Sequence, residues 1–175
     1  MKKLLLSIIL FSFCFTINAQ FGVSVGYGSG KAKISVGGES ITSDSSGSFS
    51  IGLFYDSEIS DNLDLLASLG FGMGEKVDEE SNNSIGLGLG LQYYPAGKDN
   101  NFFIQPGIGL GYSLADIDTD LMKKTSFTGS IGLGIDLSEN FTLIGSYGTQ
   151  LSDSSNMNGI KIKGSAFGAS LLYKF

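Results

Sequence analysis

No histidine occurs anywhere in the 175 residues. That absence removes imidazole acid–base catalysis, Ser-His hydrolysis and histidine-ligated zinc together. Arginine is missing too, and 11 lysines face 17 acidic residues, a balance that sets nucleic acid aside as a partner. The single cysteine, Cys14, sits inside an apolar run, so no disulfide braces the chain. Beyond residue 20 there is no apolar run near the ~20 residues that a membrane-spanning helix needs. A chain so equipped must hold itself together by sheet closure or burial.

What is present begins with MKKLLLSIILFSFCFTINAQ. Two lysines, an apolar stretch and a small residue before Gln20 read as a signal peptide over 1–19, cleaved after Ala19. Residues 20–175 then form one domain, with nine lysines and a net charge near −8 once Lys2 and Lys3 are gone.

Within that domain, SIGLGLGLQYYP (84–95) sets Gly86, Gly88 and Gly90 between Ile85, Leu87, Leu89 and Leu91. Strict alternation is the period of a strand, with one greasy face and one nearly bare. The pattern recurs at 21–28, 48–56, 63–74, 102–114, 126–137, 141–151 and 164–175, which makes eight strands. Polar connections at 31–47, 75–83, 115–124 and 152–159 alternate with shorter ones at 57–62, 95–101 and 138–140. Long loops on one side and short turns on the other predict an all-β, eight-stranded, antiparallel, up-and-down transmembrane barrel. Ten residues from Ile85 to Tyr94, at ~3.3 Å each and ~40° tilt, cover roughly 25 Å, the height of a barrel's apolar band.

The aromatics fall into two belts. Phe21, Tyr55, Tyr93, Phe102, Phe141, Tyr173 and Phe175 lie near the end with the short turns, and Tyr27, Phe49, Phe71, Tyr112, Phe127 and Tyr147 near the other. All are in the greasy phase, which therefore faces lipid, while the Gly/Ser/Thr phase faces a narrow lumen. Phe54, Leu66, Gln92, Phe103, Gln105, Ile144 and Leu172 are the residues expected to fill it. Pro106 predicts a bulge or a local bend in its strand. The segment IKIKG (160–164) reads as a strand extension above the membrane, with a shift at Gly164.

No motif here binds a cofactor. GYGSGK (26–31) lacks the glycine and hydroxyl that a phosphate loop requires at 25 and 32, where Val25 and Ala32 stand. ADIDTDLMKK (115–124) spaces Asp116, Asp118 and Asp120 as a calcium loop begins. It then fails at Leu121 and Phe127, so it reads as a solvated acidic loop, as does 75–80 with Glu75, Asp78, Glu79 and Glu80.

Two electrostatic features stand out. Closure pairs the first strand with the last, so Lys31 and Lys33 should rise beside Lys161 and Lys163 at the outer rim, placed to meet lipopolysaccharide phosphates or the acidic loops, or simply to solvate the rim. In the lumen phase Asp64, Asp136 and Lys174 fall near the opposite end, where an ion pair could plug the bore.

The whole pattern, and the terminus SLLYKF above all, resembles the small outer-membrane β-barrels of Gram-negative bacteria, the OmpA/OmpX-like family. The resemblance implies that Tyr173 and Phe175 are the signal read by the barrel-assembly machinery. At the position where that family usually has glycine this chain has Ser170. It also implies a monomer in contact with outer-membrane lipid. The family's members include a few enzymes, and it is the missing histidine that points to a non-enzymatic structural or surface-interaction role exercised through the outer loops. A narrow pore for small solutes and a soluble lipocalin-like cup are the alternative readings.

Overall fold

The computed structural model describes residues 19–77, 80–116 and 120–175; residues 1–18 of the expected signal peptide, together with Asp78, Glu79 and Asp118 of the acidic loops, lie outside the described residues. Among the described residues there are nine strands: β1 (Ala19–Val36), β2 (Glu39–Thr42), β3 (Ser46–Ser60), β4 (Leu63–Val77), β5 (Glu80–Tyr93), β6 (Phe102–Ser113), β7 (Thr125–Asp136), β8 (Phe141–Gln150) and β9 (Ile160–Lys174). Eight of them run antiparallel in the order β1-β3-β4-β5-β6-β7-β8-β9, and β9 closes on β1. The eight-stranded up-and-down barrel read from the alternation is the observed fold.

The ninth strand was not foreseen. The expected loop 31–47 is instead a continuation of β1 that turns back as β2, with Lys33 opposite Thr42 and Val36 opposite Glu39. Gly37 and Gly38 make the reversal with φ of 59° and 94°, the left-handed pair that a tight hairpin requires. On its other side the same part of β1 pairs with 160–163, so the hairpin and β9 form one three-stranded flap beyond the barrel wall.

The register bears on two further expectations. Of the bulge or bend expected at Pro106, there is no bulge. The β5–β6 ladder is interrupted between Gly90 opposite Gly107 and Tyr93 opposite Ile104, yet the register is the same on both sides. Pro106 stays paired with Ile131 on β7, so its missing donor is accommodated by opening one ladder locally without inserting a residue. Nor is there a shift at Gly164. The β1–β9 register runs unbroken from Gly22 opposite Lys174 to Val36 opposite Ile160.

The two phases separate cleanly. Leu53, Leu87, Leu110 and Leu133 are exposed on the outer wall, which suits a hydrocarbon environment and no other. Inside, Phe54, Leu66, Tyr94, Phe103, Ile144 and Leu172 form a buried layer, with Gln92 fully buried among the lumen residues. Phe54 and Phe103 fit because each lies over a glycine of the next strand. A Cβ at Gly22 would stand 2.2 Å from the Phe54 ring, and one at Gly134 would stand 2.0 Å from the Phe103 ring. Toward the outer end the lumen phase holds small residues that interleave. Ser68 leans over Gly88, Ser84 over Gly72, and Ser126 over Gly111, with hydroxyls 2.6 to 2.8 Å from where a Cβ would be. An eight-stranded wall curves so tightly that neighbouring inward side chains converge, and one of each pair must be bare.

Candidate functional site

The two mouths of the barrel carry its charged side chains in different ways. At the end with the short turns, β3 continues its inward phase from Phe54 to Asp56, and β9 ends it with Lys174. The Lys174 ammonium reaches Asp56 at 2.7 Å, and both groups are buried. Gly22 of β1 lies opposite both Phe54 and Lys174, so a bare strand between β3 and β9 lets the two side chains meet. Beside them, Lys98 in the short turn after β5 reaches back over the mouth to Asp64 at 2.8 Å and Glu58 at 3.2 Å. Burial works against its charge, but hydrogen bonds and attraction from Asp64 and Glu58 outweigh that and hold Lys98 above the usual lysine range. Asp136 accepts from the Tyr94 hydroxyl at 2.9 Å and from Thr142 at 2.5 Å, and Tyr94 in turn packs on Phe103 at 5.2 Å between ring centroids.

Asp64, Asp136 and Lys174 therefore share the mouth without pairing with one another. Each has a nearer partner: Lys98 for Asp64, Tyr94 and Thr142 for Asp136, Asp56 for Lys174. Asp56 and Glu58 were legible as continuations of the inward phase beyond Phe54. Tyr94 likewise continues the inward phase of Gly90 and Gln92, whereas Lys98 was not legible, because a residue in a turn has no period from which its direction can be read. Among the described residues no group of three or more acidic side chains is placed to hold a metal ion.

The terminal residues lie on the outer wall at the same end. Tyr173 packs on Phe141 at 4.9 Å and edge-on to Phe175 at 5.6 Å. Phe175 donates its backbone N–H to Phe21 at 2.9 Å, so the last residue is tied to the first turn of β1, while its ring stays 72% exposed.

At the other mouth the β1–β9 seam brings the four rim lysines onto one outward face. Lys33 stands directly opposite Lys163, Lys31 opposite Ser165 and Lys161 opposite Ser35. The aromatic belt marks their height. Tyr147 and Phe167 stack at 4.6 Å, and Phe167 is the residue opposite Ser29, one row below Lys31. Each row of two residues rises about 5 Å at ordinary barrel tilt, so the ammonium groups occupy the zone from about 5 to 15 Å above that belt. Among the described residues no ion pair engages Lys31, Lys33 or Lys163. Lys161 lies near Asp153, whose carboxylate already accepts the N–H groups of Ser155 and Ile162 and is held below the usual aspartate range chiefly by those two bonds.

Solved structures share this fold. The Neisserial surface protein A matches with a TM-score of 0.54 at 16% identity, covering 87% of this chain and 97% of that one. Ail, the attachment invasion locus protein of Yersinia pestis, matches with a TM-score of 0.51 at 14% identity, covering 90% and 100%. The outer membrane enzyme PagL matches with a TM-score of 0.52 at 14% identity, covering 85% and 99%. No curated protein matches the chain by sequence. A strand pattern of alternating lipid-facing and lumen-facing residues, closed into eight strands with aromatic belts, is what the outer membrane protein beta-barrel domain family describes; that family matches residues 5–175, and the chain belongs to it.

Proposed function

We propose that this is a sealed, non-enzymatic barrel of the outer membrane, exported by its signal peptide, whose work is done by the surfaces it presents outside the cell. The observation that carries the reading is the asymmetry of its two ends. One end of the bore is filled by the buried Phe54, Leu66, Phe103, Ile144 and Leu172 layer beneath two ion-paired lysines. At the other end β1, β2 and β9 continue past the aromatic belt as an exposed flap. Fold alone does not choose among roles, since the same architecture serves an enzyme elsewhere. The side chains argue against catalysis here. There is no histidine, and the lumen carboxylates are engaged structurally, Asp56 by Lys174, Asp64 by Lys98, and Asp136 by the hydroxyls of Tyr94 and Thr142.

The test is conduction. Purified barrel reconstituted into planar bilayers is expected to give no unitary current steps, because side chains occupy the bore. Stable steps would overturn the sealed reading in favour of a narrow pore for small solutes.

The same reading gives Tyr173 and Phe175 to biogenesis, as the aromatic terminus recognised by the barrel-assembly machinery. Deleting Phe175 removes an exposed ring and one hydrogen bond to Phe21 and leaves the rest of the wall intact. The expected result in cells is loss of the outer-membrane form and accumulation of degraded periplasmic protein, while the same variant still folds in detergent. Ordinary outer-membrane levels would take the recognition role away from Phe175.

A further inference from the structure

The flap above the membrane has a chemically uniform outer face. β1, β2 and β9 place Lys31, Lys33, Lys161 and Lys163 there, and the remaining outward positions are hydroxyls. Ser35 pairs with Ser40, their oxygens 3.0 Å apart, Thr42 pairs with Lys33, and Ser165 pairs with Lys31. No carboxylate shares these positions. The one acid of the hairpin, Glu39, pairs with Val36 and belongs to the opposite face. In a chain with a formal net charge of −6, four of 11 lysines are gathered on two adjacent strands. Lys33 and Lys163 are directly opposed, with Cβ atoms about 4.5–5.5 Å apart, and like charges so placed repel. Asp153, near Lys161, already accepts two backbone N–H groups, and among the described residues no ion pair engages Lys31, Lys33 or Lys163; four cations and four hydroxyl groups so placed are complementary to a multiply charged oxyanion.

Height decides where that anion comes from. The lysines begin one row above Phe167 and Tyr147, which sit at the boundary between hydrocarbon and headgroups. Their zone is the headgroup layer of the outer leaflet, and their side chains point away from the barrel axis toward neighbouring lipid. We propose that the β1–β2–β9 lysine face docks the phosphate groups of a lipopolysaccharide molecule in the outer leaflet, with the hydroxyls of Ser35, Ser40, Thr42 and Ser165 as further donors. The ligand is a membrane glycolipid held beside the barrel. Neutralising the Lys33 and Lys163 pair is the main consequence. Binding should weaken steeply with salt, as an electrostatic contact at the rim does.

The experiment uses the folded barrel in zwitterionic lipid discs, with purified lipopolysaccharide and its enzymatically dephosphorylated form as probes. Each lysine near a phosphorylated surface contributes about fivefold at low salt. The double variant Lys33→Glu/Lys163→Glu is therefore expected to bind lipopolysaccharide at least about 25-fold more weakly than the parent. Lys33→Arg/Lys163→Arg should keep the parent's affinity, and Lys123→Glu/Lys124→Glu, which makes the same change in net charge elsewhere, should change it less than threefold. Lys33→Gln/Lys163→Gln, which removes the two charges without reversing them, gives the same reading, with a loss of about 25-fold, if the glutamate variant fails to show heat-modifiable mobility. Equal binding by the parent and the Gln or Glu variants overturns the proposal. So does equal affinity for the dephosphorylated lipid, an equal loss in the Lys123/Lys124 control, or displacement of lipopolysaccharide by millimolar inorganic phosphate, which would make the face a site for the free anion.

Discussion

Gly22→Ala is expected to destabilise the barrel by about 3 kcal/mol or more, the upper end of what overpacking costs. A Cβ there would lie 2.2 Å from the Phe54 ring and 2.2 Å from the Tyr173 carbonyl oxygen. The ring cannot retreat, since Phe54 is buried within the packed layer, and the carbonyl belongs to the closing strand. Urea unfolding in lipid vesicles, followed by the heat-modifiable band, reads the effect. Two companions show its origin. Gly134→Ala meets only the Phe103 ring, at 2.0 Å, so Phe103→Leu should restore part of its loss, whereas Phe54→Leu should restore little at Gly22 because the carbonyl remains. Gly88→Ala meets the Ser68 hydroxyl at 2.6 Å, which can rotate away, and should cost less than about 1 kcal/mol. Equal losses at Gly22 and Gly88 would mean that the aromatic layer is not what requires the glycine.

The second large effect lies one residue further along the same strand and on the other side of the wall. Leu89 is half exposed, opposite Ala67 on β4 and Ile108 on β6, in the middle of the apolar band. Leu89→Lys should cost about 2–4 kcal/mol, the penalty for a cation on a barrel's lipid face at the midplane. Gly88→Ser, directed into a lumen already lined with hydroxyls, should be far milder. A soluble cup with leucine inside would also suffer from the lysine, so stability needs a positional partner. With Cys14 in the expected signal peptide, Leu89→Cys can be labelled alone. Its fluorophore should be quenched by a spin label on the lipid chains, and one at Ile41→Cys, 74% exposed on the flap, should not. Equal quenching at the two sites would reject the membrane orientation.

The eight wall strands were readable because each carries its own evidence. SIGLGLGLQYYP declares two faces within twelve residues, and a glycine opposite every leucine is hard to reconcile with water on either side. The lumen filling was readable for the same reason, since Phe54, Gln92, Phe103 and Leu172 break an otherwise small-residue phase. The hairpin was not. KAKISV and ESIT alternate too, but between lysine, serine and isoleucine, a composition that suits an exposed loop equally well. What makes KAKISV a strand is pairing with 160–163, more than a hundred residues away, which no local window contains, and ESIT then folds back onto it through Gly37 and Gly38. Pro106 shows a different limit. Its chemistry does remove a donor, but whether a sheet answers with an extra residue or with a gap depends on the neighbouring strand. The plug had the same limit. Asp64, Asp136 and Lys174 were placed at the right end by their phase, and their partners were decided by Lys98 in a turn and by the bare Gly22 between Asp56 and Lys174.

The seam between β9 and β1 has a consequence in time. The other wall pairings join strands that are consecutive around the barrel and can form as local hairpins, but this one brings Gly22 to Lys174 and Phe21 to Phe175. Non-local pairings are slow because the loss of chain entropy precedes their reward. Before closure the sheet has two free edges, each with a ladder of unsatisfied donors and acceptors that hydrocarbon cannot satisfy. The Asp56–Lys174 ion pair, the Gly22 contact and the opposed Lys33 and Lys163 all straddle this seam, so they exist only in the finished barrel. Substitutions there act on a molecule that is still open, and their first casualty is the competition between closing on itself and joining edge to edge with another copy.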